Sequence, residues 1–98
     1  MAALPPSTIT FAIAGQIDRG DLPALYERVC RLLEGSGAAF AVCDVAGVAA
    51  DAVAVDALAR LQLAARRHRC RMTLSHASDE LRALIAFMGL DDVLAAER

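Results

Sequence analysis

The sequence predicts an α/β fold with a small, mostly parallel sheet and flanking helices, mainly on one side. The chain has 98 residues, 57% of them hydrophobic, which suffices for one small domain with a core. Short apolar runs alternate with longer amphipathic patterns in the order strand, helix, strand, helix, strand, helix. This alternation implies crossover connections between parallel strands. We predict a single domain over residues 1–98, with residues 1–7 as a flexible lead-in.

The first strand and helix follow from the N-terminal third of the chain. Residues 8–14 (TITFAIA) are β-branched and aromatic, which is typical of a strand. Asp21 is a predicted helix N-cap, and Pro23 falls in the first turn, where its missing N–H costs nothing. The helix should end near Gly35. Its predicted buried face, at spacings of three and four, comprises Leu22, Leu25, Tyr26, Val29, Leu32 and Leu33.

The second strand and helix form the middle of the chain. Residues 38–45 (AAFAVCDV) predict a strand covered on both faces, followed by a turn at Gly47. Asp51 is the next predicted N-cap, and residues 52–68 are rich in alanine and leucine with no helix breaker. The basic run at residues 66–71 is interpreted as a solvated helix end that complements the helix dipole, with a phosphate-ligand or nucleic-acid patch as the alternative.

The last strand and helix complete the alternation. Residues 71–75 (RMTLS) predict a strand, and Ser78 caps a helix that ends at Gly89. Residues 90–96 predict a short helical or irregular segment. The expected buried stripe of the third helix comprises Leu81, Leu84, Ile85 and Met88.

Composition argues against several functional classes. A formal net charge of −2 disfavours nucleic-acid binding. No apolar run suffices to span a bilayer and no signal peptide is recognisable, so we expect a cytoplasmic protein without direct membrane insertion. Cys30, Cys43 and Cys70 lie in apolar patterns and are predicted to be buried free thiols. With His68 and His76 as the only histidines, we predict no metal site. The sequence has no nucleophile–base–orienter set and no phosphate-cradling glycine loop, so we predict no cofactor and no enzymatic activity.

Three short segments, in order and spacing, resemble the STAS domain family. They are the G-x-I-D of residues 15–18, the D-V-A-G-V of residues 44–48 and the M-G-L-D-D-V-L of residues 88–94. Anti-sigma factor antagonists and the cytoplasmic tails of sulfate transporters share this fold. The resemblance spans residues 8–94 and implies a protein-binding function.

The family pattern Asp-Ser-Ser-Gly-Leu has no hydroxyl counterpart in this chain. The ungapped register from residue 58 into the third strand aligns Asp51 with the family aspartate and Ala52 with the first hydroxyl residue. Val53 then matches the phosphoacceptor serine, Ala54 the glycine and Val55 the leucine. Residues 45–72 contain no serine, threonine or tyrosine, so a one-residue slip changes nothing. The resemblance therefore implies a domain without phosphoserine control at the usual site.

Two kinds of partner follow from the resemblance. One is an anti-sigma factor kinase of the GHKL type, with the chain acting as an anti-sigma factor antagonist-like domain. The alternative is a lipid-transport ABC ATPase, with the chain as an accessory STAS subunit. Compared with the family, the sequence leaves little room for a further strand at either end. A missing strand would leave a sheet edge open and favour a homodimer. The predicted partner-binding residues are Asp18, Asp51, Ala52, Val53, Ala54 and Asp56.

Overall fold

Within residues 8–94, three strands and three helices alternate along the chain, as the sequence predicts. The computed structural model describes residues 8–94, apart from the side chain of Ala14. The predicted lead-in and the last two residues of the predicted 90–96 segment lie outside this range. The elements are β1 (Thr8–Gly15), a 3-10 turn (Arg19–Asp21), α1 (Leu22–Ser36), β2 (Phe40–Val48), α2 (Ala52–Arg67), β3 (Arg71–Ser75) and α3 (Asp79–Phe87).

The sheet is parallel, with the strand order β1-β2-β3. Within the described range β2 is therefore the central strand, and β1 and β3 are the edges. Parallel neighbours joined through helices are the arrangement expected from the alternation of strands and helices. The predicted α/β fold class is confirmed.

The core lies on one face of the sheet. Along β2 the side chains of Ala41, Cys43 and Val45 are buried, whereas Val42 and Asp44 between them are only half-buried. The prediction that β2 is covered on both faces is therefore wrong. The largest fully buried side chains come chiefly from α2 and β3, and each stabilises the fold by about 1.5–3 kcal/mol. They include Leu58, Leu61, Met72, Leu74 and Leu81.

The end of β2 also differs from the prediction. The strand continues to Val48, and Gly47 pairs with Ala14 of β1 instead of forming a turn. Between the pairs Ala12–Asp44 and Ala14–Gly47, β2 advances by one residue more than β1. A bulge of this kind absorbs an extra residue and bends the strand. Because β2 extends to Val48, little chain is left for a separate turn before Asp51.

The ends of the helices agree better with the sequence prediction than the burial of individual helix residues does. α1 runs past Gly35 and ends at Gly37, whose φ of 60° suits glycine and whose N–H donates to the Leu33 carbonyl. Leu32 was predicted to be buried but is 44% exposed, because it lies at the margin of the stripe that buries Val29 and Leu33. Met88 is exposed for a different reason, since it follows the last residue of α3.

A buried glutamine of α2 links three parts of the chain. Gln62 Nε2 donates to the Met72 carbonyl oxygen at 2.7 Å and to the Val93 carbonyl oxygen at 3.0 Å. Its Oε1 accepts from the Met72 N–H at 3.1 Å. Met72 lies on the edge strand β3, so the side chain of Gln62 takes the place of a missing strand at this point. The amide satisfies backbone groups that would otherwise be buried without partners.

The three cysteines differ in their environments, which leads to a labelling prediction. Burial, assisted by the negative charge of Asp44, raises the pKa of Cys43 to about 12, and burial also raises the pKa of Cys70. Cys30 on α1 is only half-buried. Because the thiolate is the reactive form, a disulfide reagent should label Cys30 rapidly in the native protein. Cys43 and Cys70 should react only on unfolding. Intact mass measured over time checks this, and rapid labelling of a Cys30→Ser variant would contradict it.

Candidate functional site

The carboxyl ends of the three strands bring three loops to one edge of the sheet. Gly15 pairs with Val48, and Asp44 pairs with Ser75, which fixes the strand ends side by side. The loop after β1, the start of α2 and the loop after β3 therefore lie along this edge. In open α/β sheets ligands and partners bind at such an edge.

Asp51 holds the beginning of α2. Its Oδ1 accepts from the Ala54 N–H at 2.8 Å, and its backbone is extended, as an N-cap requires. The predicted cap is confirmed, and a cap of this kind contributes about 1 kcal/mol. The carboxylate also lies where the positive end of the helix dipole favours a negative charge.

The first turn of α2 presents a small and mostly apolar surface. Ala52 is exposed, and Val53, the second residue of the helix, is half-buried with its side chain packed against the core. Ala54 was predicted to bind the partner, but it is 0% exposed and offers no surface for contact, and its N–H donates to Asp51. Val53 therefore lies in the first turn of α2, partly accessible to solvent and partly packed against the core.

The other two predicted carboxylates are engaged in local contacts. Asp56 accepts from Arg60 Nε at 3.0 Å, one helical turn further along α2. Asp18 is exposed in the loop after β1, and its N–H donates to the Asp21 carboxylate at 3.3 Å. Asp21 is the N-cap residue of α1, as predicted, but its carboxylate accepts from the Asp18 N–H and makes no side-chain hydrogen bond to that helix.

A contact between a carboxylate of β2 and a histidine in the loop after β3 was not predicted. His76 Nδ1 lies 3.2 Å from Asp44 Oδ1, and both groups are accessible to solvent. The hydrogen bond from the Ala46 N–H lowers the pKa of Asp44 most, and the His76 side chain lowers it further. Stability from this carboxylate is thus present above its ordinary pKa and is lost as the pH falls through the lowered value. The sequence signal for this contact was the position of Asp44 and His76 at the carboxyl ends of two predicted strands.

The described residues contain no cluster of three histidine, cysteine or acidic side chains placed to hold a metal ion. None of the described helices combines the length and apolarity needed to cross a bilayer. The site is therefore a helix start flanked by carboxylates on one sheet edge. Such an arrangement suits contact with another protein through an apolar centre and charged surroundings.

Known structures share this arrangement of strands and helices. The anti-sigma factor antagonist SpoIIAA in its unphosphorylated form superposes with a TM-score of 0.63 at 13% identity, covering 99% of this chain and 85% of that protein. A sulfate transporter family protein from Wolinella succinogenes gives a TM-score of 0.68 at 19% identity, covering 96% and 76% of the two chains. These likenesses establish a SpoIIAA-like fold. No curated protein matched the sequence.

The fold and the site thus define a small α/β domain of the SpoIIAA-like class. The family model described as "Mlab, STAS domain" matches residues 1–95, and the chain belongs to the STAS domain family.

Proposed function

We propose that the chain is a non-enzymatic, protein-binding STAS domain that docks its partner on the start of α2 and the adjoining loop after β1. The observation that carries this proposal is the position of Val53 at an accessible helix start on the carboxyl edge of the sheet. Ala52 and Val53 supply an uncharged contact, while Asp18, Asp51 and Asp56 supply negative charge around it. Ala54 supports the surface from beneath.

The proposal includes the loss of phosphoserine control. In relatives that switch partners, phosphorylation of a serine adds nearly two negative charges, which oppose docking by repulsion and desolvation. Val53 occupies the matching position in the register given above and cannot accept phosphate. The chain would therefore present its docking surface permanently in the form that corresponds to an unmodified serine.

The favoured partner is an anti-sigma factor kinase, which would make the chain a cytoplasmic, antagonist-like domain in transcription regulation. The similarity to the fold of unphosphorylated SpoIIAA supports this assignment. The second candidate is an accessory STAS subunit of a lipid-transport ABC ATPase. Its specific support is the family match, because the matching model is described by the name MlaB. In either role we propose a single domain over residues 1–98 that forms a homodimer through an edge strand of its sheet.

Affinity capture from the native cytoplasm, followed by mass spectrometry, tests the proposal. We expect either a GHKL-type kinase or a transport ATPase to be enriched on the wild-type chain and depleted on a Val53→Asp variant. The identity of the protein separates the two candidates. Equal recovery of all captured proteins on both chains would refute docking at the start of α2.

A further inference from the structure

A second surface lies between α1 and α2, on the outer side of the helical layer. Here a groove of about 420 Å³ is lined by apolar and basic side chains. Its apolar part is formed by Leu22 and Tyr26 of α1 and Leu63 of α2, of which Leu63 is 51% exposed. These side chains give the groove an apolar centre beside its basic residues. We term this surface the α1–α2 groove.

The charge of the α1–α2 groove has one sign. Arg19, Arg60 and Arg67 line it, and no carboxylate does. Arg60 is bonded to Asp56, whereas within residues 8–94 neither Arg19 nor Arg67 forms an ion pair. The acidic residues Asp18 and Asp21 flank Arg19 in sequence, but they do not line the groove. Because the whole chain is net negative, this positive region is a local feature and not an effect of overall charge.

The groove is continuous with the proposed docking surface along one face of α2. Residues spaced by three and four positions lie on the same side of a helix. This face runs from the helix start to its last turn and consists of Val53, Asp56, Arg60, Leu63 and Arg67. A partner bound at Val53 therefore has a path along α2 into the α1–α2 groove, where the charge changes from negative to positive.

We propose that the α1–α2 groove binds an amphipathic, acidic segment of the partner protein. An apolar side chain of this segment would enter between Leu22, Tyr26 and Leu63, and its carboxylates would pair with Arg19 and Arg67. A helix laid into a groove with its apolar face inward is an established mode of protein recognition. Guanidinium groups suit this role because they bind carboxylates with two parallel hydrogen bonds. The inference rests on the proposed function, since it assigns a second contact to the same partner.

Tyr26 provides a direct probe of the groove, because the chain has one tyrosine and no tryptophan. The probe ligand is a synthetic helical peptide without aromatic residues, with leucines on one face and glutamates on the other. The control peptide has lysine in place of each glutamate. We expect the acidic peptide to change the emission of Tyr26 saturably, and the lysine peptide to bind at least about tenfold more weakly. Added salt should weaken the binding of the acidic peptide, because it screens the attraction between opposite charges.

Matched variants distinguish the groove from the rest of the surface. Leu63→Ser and Arg67→Glu should each weaken the acidic peptide by about tenfold. Leu32→Ser and Arg28→Glu make the same changes at exposed positions that do not line the groove and should leave binding unchanged. The absence of a saturable change, equal binding of both peptides, or an equal effect of the control variants would overturn the proposal.

The native partner separates failure of this inference from failure of the proposed function. A captured partner that is lost on Val53→Asp but fully retained on Leu63→Ser and Arg67→Glu would overturn the groove assignment alone. A partner retained on all three variants would overturn both. Loss on Val53→Asp together with weakening on both groove variants is the expected result.

Discussion

Replacing Gln62 with leucine should lower the free energy of unfolding by about 2–4 kcal/mol. Leucine has nearly the same shape but leaves the Met72 N–H and the carbonyl oxygens of Met72 and Val93 without the partner that they have now. Loss of one partner is costly because the remaining groups stay desolvated, whereas the apolar side chain regains only part of that free energy by burial. The effect should therefore exceed that of a typical single substitution.

Chemical denaturation followed by far-UV circular dichroism measures this change. Gln16→Leu is the matched control, because Gln16 is exposed in the loop after β1 and the substitution is identical. It should alter the free energy of unfolding by no more than about 0.5 kcal/mol. Equal stability of the two variants would show that Gln62 does not hold β3 and the segment after α3 in the way described.

The Val53→Asp substitution should weaken partner docking by about tenfold or more. An aspartate introduces a negative charge at the proposed docking surface, and that charge opposes docking by repulsion and desolvation. The fold should persist, since Val53 is only half-buried and an acidic residue in the first turn interacts favourably with the helix dipole. Titration calorimetry with the captured partner gives the affinity, and a thermal melt gives the stability.

Two further substitutions separate charge from packing at this position. Val53→Ala removes contact area without adding charge and should keep most of the affinity. Val53→Ser introduces a hydroxyl group at the position that the proposal matches to the phosphoacceptor serine. Incubation with a cognate kinase and ATP should therefore add one phosphate to this variant and none to the wild type, as read by intact mass. A folded Val53→Asp protein that binds its partner with wild-type affinity would place the docking surface elsewhere.

The sequence predicts those features of the fold that depend on neighbouring residues. Asp51 and Ser78 cap their helices through bonds to N–H groups three residues ahead, which are contacts that a short pattern can reveal. The strand–helix alternation likewise fixes the parallel sheet through general rules of chain connection. β3 accordingly has the predicted bounds of residues 71–75.

Features that depend on distant partners were not predictable. The extension of β2 to Val48 depends on pairing with β1, and the exposure of Leu32 depends on which elements pack beside α1. The role of Gln62 requires knowledge of where Met72 and Val93 lie. At the site, the sequence predicts that Val53 lies in the first turn of α2. The contact of Asp44 with His76 appears only when β2 and β3 are placed side by side.

The burial of α2 has a consequence for any molecule that meets its outer face. Eight of the 16 residues of this helix are buried, so its backbone is fixed by the interior of the domain. The backbone that carries the opposite face is consequently held in place before a partner binds. Binding of a partner on this face therefore costs little backbone conformational entropy, which favours tight binding from a modest contact area.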